Sequence, residues 1–192
     1  MDNAWSQIAA TVASEFSDLP DLAEATRIVV RLLVAAVLGG ILGWEREHAG
    51  KSAGVRTHML VAMGAALFVL MAQQTGMDEA GLSRVLQGIV AGVGFLGAGT
   101  ILKRETENQV HGLTTAAGIW LTAAIGVAAG MGREATAVLS ALLALVVLWL
   151  LPLLHSAFMA RGAASKAKAA TRVDSDAASA DAVGQGSNDQ PS

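Results

Sequence analysis

Five stretches of about 17 to 22 residues run almost free of charge through this 192-residue chain, and each is close to the roughly 20 apolar residues that one helix needs to cross a bilayer core. No other feature restricts the fold so strongly. Only 15% of residues are charged and 53% are hydrophobic, whereas a soluble domain carries about 25% charged residues. The expected fold class is an all-α membrane protein, with five transmembrane helices in a compact glycine-rich bundle. Cysteine is absent, which excludes disulfides and thiol chemistry. The first 20 residues hold no Lys or Arg, so a cleavable signal peptide is not expected and the first helix must direct insertion.

The stretches place helices at about 24–44, 56–74, 84–102, 111–131 and 134–154. The first follows Asp21-Leu22-Ala23-Glu24, a variant of the capping box. Before it, Trp5, Ile8, Val12, Phe16 and Leu19 recur at helical spacing and predict an amphipathic segment over 1–20 that lies on the membrane. The bundle is expected over 21–155. Residues 156–192, rich in Ala, Ser, Asp and Gly, read as a disordered cytoplasmic tail.

Basic residues set the expected orientation. Arg46, Lys51, Arg56, Lys103, Arg104, Arg161, Lys166, Lys168 and Arg172 fall on one side, and Arg27, Arg84 and Arg133 on the other. The positive-inside rule then places the N-terminus outside and the C-terminus in the cytoplasm. Helix association in lipid relies on close approach at small residues. Gly39 and Gly43, then Gly88, Gly92, Gly94, Gly97 and Gly99, then Gly118, Gly126 and Gly130 are the expected packing positions. The glycines of 88–99 also admit a second reading, a broken helix that offers backbone dipoles to a ligand.

Chemistry-bearing residues gather at two expected cytoplasmic loops. Around the first are Glu45, Arg46, Glu47, Arg56, Thr57 and His58. Arg56 opens a helix, where a cation opposes the dipole, and Glu45 or Glu47 is its expected partner in a clamp across the loop. Two carboxylates at that spacing also suit a hard cation such as magnesium, though solvated charge that merely sets topology explains them as well. Around the second loop are Lys103 and His111, with Thr114 and Thr115 opening the next helix. Arg84 and Gln87 share a face at the opposite end. All are read as partner- or ligand-contact candidates, with interhelical hydrogen bonding as the plainer role for the threonines and Gln87. Arg31 is expected to snorkel. No Asp or Glu falls inside the five expected cores, and no nucleophile elbow, phosphate loop or metal box is present. The reading is therefore a non-enzyme without cofactor, metal or nucleic acid. Its partners would be the bilayer, another inner-membrane complex and, as an option, further copies of itself.

The stretches GGILGWEREHAGKSAGVRTHMLV at 39–61, RVLQGIVAGVGFLGAGTILK at 84–103 and VHGLTTAAGIWLTAAIGVAAGMG at 110–132 resemble the three signatures of the MgtC/SapB family. That resemblance implies a multi-pass protein of the bacterial inner membrane with a five-helix domain. It further implies a virulence-associated family tied to stress adaptation, magnesium homeostasis and growth at low magnesium. The founding member is similar to a regulator that restrains the proton-driven ATP synthase, and transport of an ion or small solute is the alternative reading. Two departures stand out. The founding member has a folded cytoplasmic domain after its fifth helix, where this chain has a short tail, and some members carry Asn where this chain has Thr114.

Overall fold

The computed structural model describes residues 2–15, 21–103 and 110–150. Among them are six helices: α1 (Asp2–Glu15), α2 (Leu22–His48), α3 (Val55–Gln74), α4 (Glu79–Thr100), α5 (Leu113–Gly130) and α6 (Glu134–Leu150). Of these, α2, α3, α4 and α5 are long and apolar enough to cross a membrane. Residues 151–154 of the expected fifth span, and the expected tail, lie outside the described residues, as do Phe16 and Leu19 of the expected amphipathic segment. Residues 1–145 make one compact unit, and the described part of the second, Val146–Leu150, is helical.

Local chemistry sets the helix ends. Asp21 caps α2 by accepting from the backbone N–H of Glu24 at 2.6 Å, as the sequence pattern predicts. The far end of α2 corrects the sequence reading. The helix passes the expected stop at Gly43 or Trp44 and runs to His48, because Glu45 and Arg46 neutralise each other and need not leave the helix to reach water. The start of α4 is also a correction. Asp78 accepts from Gly81 N–H at 2.8 Å and starts α4 at Glu79, five residues before the expected position, so Arg84 lies well inside the helix. Between α4 and α5 the expected all-helical course gives way to a small antiparallel ladder, β1 (Leu102–Lys103) with β2 (Val110–His111). Gly112 turns the chain from β2 into α5 with φ +93°, and a Cβ there would also run into the carbonyl of Thr100. Only glycine fits that position.

The tightest packing joins α2, α3 and α5 through small residues. Ala35, Ala62, Ala66 and Ala129 have no exposed surface. A Cβ added to Gly39 would stand 2.6 Å from the His58 carbonyl oxygen, and one on Gly43 would stand 2.7 Å from Val55 Cα. On α5, a Cβ on Gly126 would overlap the carbonyl of Ala62, and one on Gly130 would stand 2.6 Å from that of Ala66. These four glycines press helix backbone against helix backbone. The α4 glycines behave differently, which corrects the expectation that they pack. Among the described residues Gly88, Gly92, Gly94 and Gly99 meet nothing, and of the five expected packing positions on α4 Gly97 alone meets a neighbour, Ala116 on α5. The helix through them is continuous rather than broken. Within its most apolar span α4 is 11% buried, against 44% for α5.

Substitutions should separate the two classes of glycine. Gly126→Ala or Gly130→Ala forces backbone apart and should cost about 1–3 kcal/mol. Gly92→Ala should be neutral or stabilising by up to about 1 kcal/mol. Thermal unfolding of the purified variants in detergent checks this; equal losses at all three positions would reject the distinction.

Candidate functional site

At the end of the bundle where α2 finishes and α3 begins, a polar group is sealed between helices. Glu45 and Arg46 in the last turn of α2, His58 in the first turn of α3, and Thr115 and Thr122 on α5 are all buried. Arg46 Nη2 donates to Glu45 Oε1 at 2.7 Å, and Arg46 Nε donates to Glu45 Oε2. This forked pairing of guanidinium and carboxylate is the strongest form of ion-pair recognition. Sequence neighbours on a helix do not ordinarily face one another. Gly118 on α5 lies beside this pair: a Cβ there would stand at ordinary contact distance, 3.9 Å from Arg46 Cδ and 3.5 Å from His58 Nε2.

His58 has no exposed surface. Its Nδ1 sits 3.0 Å from the carbonyl oxygen of Gly54. A carbonyl can only accept, so Nδ1 carries the proton, and in the neutral ring Nε2 is an acceptor. That Nε2 is buried with no hydrogen-bond partner among the described residues, as is Thr122 Oγ1. The group thus couples a closed ion pair to an imidazole with a spare lone pair. Protonation of Nε2 would set a second cation beside Arg46.

The expected clamp between Arg56 and Glu45 or Glu47 is not formed. Arg46 takes the carboxylate of Glu45. Glu47 Oε2 accepts from the backbone N–H of Val55 at 3.0 Å. Gly54, at the N-cap of α3, has no side chain to do this, and a carboxylate at a helix N-terminus is favoured by the dipole as well. Arg56 is exposed and makes no ion pair among the described residues. Thr57, His111 and Thr114 are exposed too. Lys103 lies in β1. Arg84 and Gln87 are exposed on α4, with Gln87 Nε2 3.4 Å from Ser83 Oγ. The structure therefore brings together Glu45, Arg46 and His58 from the expected set, buries Thr115 on α5, and leaves Arg56, Thr57, Arg84, Gln87, His111 and Thr114 on the surface. Among the described residues no three His, Asp or Glu side chains gather as a metal-holding group.

The sequence reading missed a second polar node, at the other end of the bundle. Arg31 Nη1 donates to Gln73 Oε1 and to the carbonyl of Gly130, both at 2.9 Å, and Arg31 Nε lies 3.9 Å from Glu134 Oε1. It ties the end of α3 and the end of α5 to α2 instead of snorkelling to the surface. The available signal was an arginine within an apolar run, which in a membrane calls for a named partner.

Breaking the buried pair should be far worse than replacing it. Arg46→Met strands the Glu45 carboxylate and should cost about 3–5 kcal/mol, whereas Arg46→Met combined with Glu45→Leu should recover most of that loss. Denaturant titration in detergent measures both. A double variant as unstable as Arg46→Met would mean that the charges are needed for more than each other.

The MgtC family model matches residues 32–157, which include α3 to α5, α2 from Leu32 onward, and the buried group. YhiD of Escherichia coli (strain K12) is 44% identical over 127 residues, covering 62% of this chain and 58% of that protein. SrpB of Synechococcus elongatus is 50% identical over 113 residues, covering 53% of this chain and 62% of that protein. MgtC of Salmonella typhimurium (strain 14028s) is 48% identical over 105 residues, covering 55% of this chain and 44% of that protein. The chain thus spans roughly half of each of these relatives. No solved structure matches it significantly. With two-thirds of its length matched by the family model, the chain is a membrane protein that belongs to the MgtC family.

Proposed function

We propose that this protein regulates ion or energy balance, with magnesium supply as the stress it answers, and that it acts by contacting another complex of the bacterial inner membrane. The observation that carries this reading is the closed centre of the bundle. Gly126 and Gly130 bring α5 onto the α3 backbone, Ile119, Ile125 and Val69 fill the space around that contact, and the Glu45–Arg46 pair is satisfied internally. Such a core favours a rigid body that presents a surface over one that opens a path. Exposed Arg56, Thr57 and Thr114 surround the buried group at one end and are the surface we assign to contact. The link to magnesium is supported by the E. coli relative, which is named a candidate magnesium transporter.

In this reading α6 is the fifth span, the N-terminus is outside, and the end that holds Glu45, Arg46 and Arg56 faces the cytoplasm, as the distribution of Lys and Arg favours. Glu45 and Arg46 would act as positioning residues that set the angle between α2 and α3. Transport is the second reading, and that relative's name is what favours it.

Three measurements test the proposal. A strain lacking the protein should grow poorly at low magnesium. Arg56→Glu should restore no growth although it inserts at wild-type abundance, because reversing an exposed charge disturbs contact and not folding. Purified protein in sealed vesicles should admit magnesium no faster than empty vesicles. Flux well above that background would replace the regulator with a transporter. A reporter fused to residue 190 should be active only as a cytoplasmic reporter; external activity would reverse the orientation.

A further inference from the structure

Between α3 and α4 runs a groove of about 720 Å³, open to the side and walled by apolar groups: Leu60, Gly64 and Phe68 on α3, and Gly88, Gly92 and Leu96 on α4. Gly64, Gly88 and Gly92 have nothing within 4 Å of the position a Cβ would take, so their missing side chains make the groove. On α4 its lining extends from Val85 to Leu96, which at 1.5 Å per residue is about 16 Å. One leaflet of a hydrocarbon core about 30 Å thick has nearly that depth. No polar side chain lines it, so whatever fills it needs no hydrogen bonds from the walls.

A charge stands at one mouth. Arg84 lies one helical turn before Gly88 and on the same face of α4. Helical side chains lean toward the N-terminus, which carries the guanidinium away from the groove and toward the membrane surface. Arg84 is exposed and makes no ion pair among the described residues. Ser83 and Gln87 flank it with further polar atoms. The nearby acids do not neutralise it. Asp78 is occupied by the N-cap bond to Gly81, and Glu79, five residues earlier, points to a different side of the helix.

We propose that this groove holds an acyl chain of one anionic phospholipid, with its phosphate at Arg84. The assignment rests on the match between a cation at the mouth and an apolar slot of leaflet depth beneath it. An anionic headgroup supplies the missing counter-charge, and the chain below it fills the space over Gly88 and Gly92. The lipid also completes the packing of α4, which the protein alone leaves loose. This holds whether the protein regulates or transports.

Native mass spectrometry tests the proposal on the full chain, in mild detergent carrying equal amounts of phosphatidylglycerol and phosphatidylcholine. The wild type should retain one phospholipid with about a fivefold preference for phosphatidylglycerol, the ratio that one basic side chain near an anionic surface supports. Arg84→Gln should bring the preference close to one while a lipid is still retained. Gly92→Leu should remove both lipids by filling the slot, and Gly64→Leu should do so from the opposite wall. Neither added side chain starts against a neighbour, and thermal melting verifies that both variants fold. Gly94→Leu, outside the lining, should leave retention unchanged. Three results would overturn the proposal. They are a wild type with no retained lipid, an Arg84→Gln variant with undiminished preference, and a wild-type dimer that Gly92→Leu dissociates, which would assign the groove to a second copy of the chain.

Discussion

The contact between the α5 backbone and the α3 backbone governs much of the rest of this structure. Helices in lipid gain little by burying apolar side chains, since the surrounding acyl chains are equally apolar. What remains is dispersion between closely fitted surfaces, and that requires near approach. Gly126 against Ala62 and Gly130 against Ala66 provide it on α5, and Gly39 and Gly43 against the start of α3 provide it on α2. With α2, α3 and α5 drawn together in this way, polar side chains gather at either end, and at the end that holds Glu45, Arg46 and His58 they are buried.

The two ends are chemically different. At one, Arg31 gathers Gln73, the last carbonyl of α5 and Glu134, a cation serving the negative end of a helix dipole. At the other, the cation and its carboxylate come from adjacent positions on α2, and His58 is locked between them and α3 by its bond to Gly54. The second end needs internal partners because a charge left alone in a dry site costs several kcal/mol, whereas at the first end Gln73 is exposed and Glu134 partly exposed. The internal pairing at the second end also frees Arg56. With Glu45 and Glu47 both engaged elsewhere, the exposed cation of α3 is left to face the membrane surface or another molecule.

Against this tight trio α4 is the exception. It carries more glycine than α2 or α5, yet most of that glycine meets nothing among the described residues. Its hold on the bundle comes mainly through α5, where Gly97 sits on Ala116, while its α3 side leaves the slot below Arg84. Glycine in a helix is destabilising in isolation, so a helix this rich in it gains from whatever occupies the open face. The groove and the unpaired arginine therefore bear on the same question, and a bound lipid answers both.

The sequence by itself determined the material of the fold. Apolar stretches of bilayer length, the Asp21 cap and the small-residue repeats follow from composition and local spacing, because one helix's backbone hydrogen bonds and its fit to the bilayer depend on that segment alone. The signatures at 39–61, 84–103 and 110–132 likewise carried the family. Tertiary structure alone decided which glycines are contacts and which are vacant, since Gly92 and Gly126 look alike until a neighbouring backbone is placed beside one and not the other. It also decided the partner of Glu45. From the sequence, Arg56 across a short loop was the natural choice for a carboxylate at a helix end. The actual partner is the adjacent Arg46, because α2 runs one turn further and both side chains are buried in the bundle beside His58 of α3 and Gly118 of α5. A pairing buried where three helices meet is set by the geometry of three segments at once, and no local pattern in any one of them encodes it.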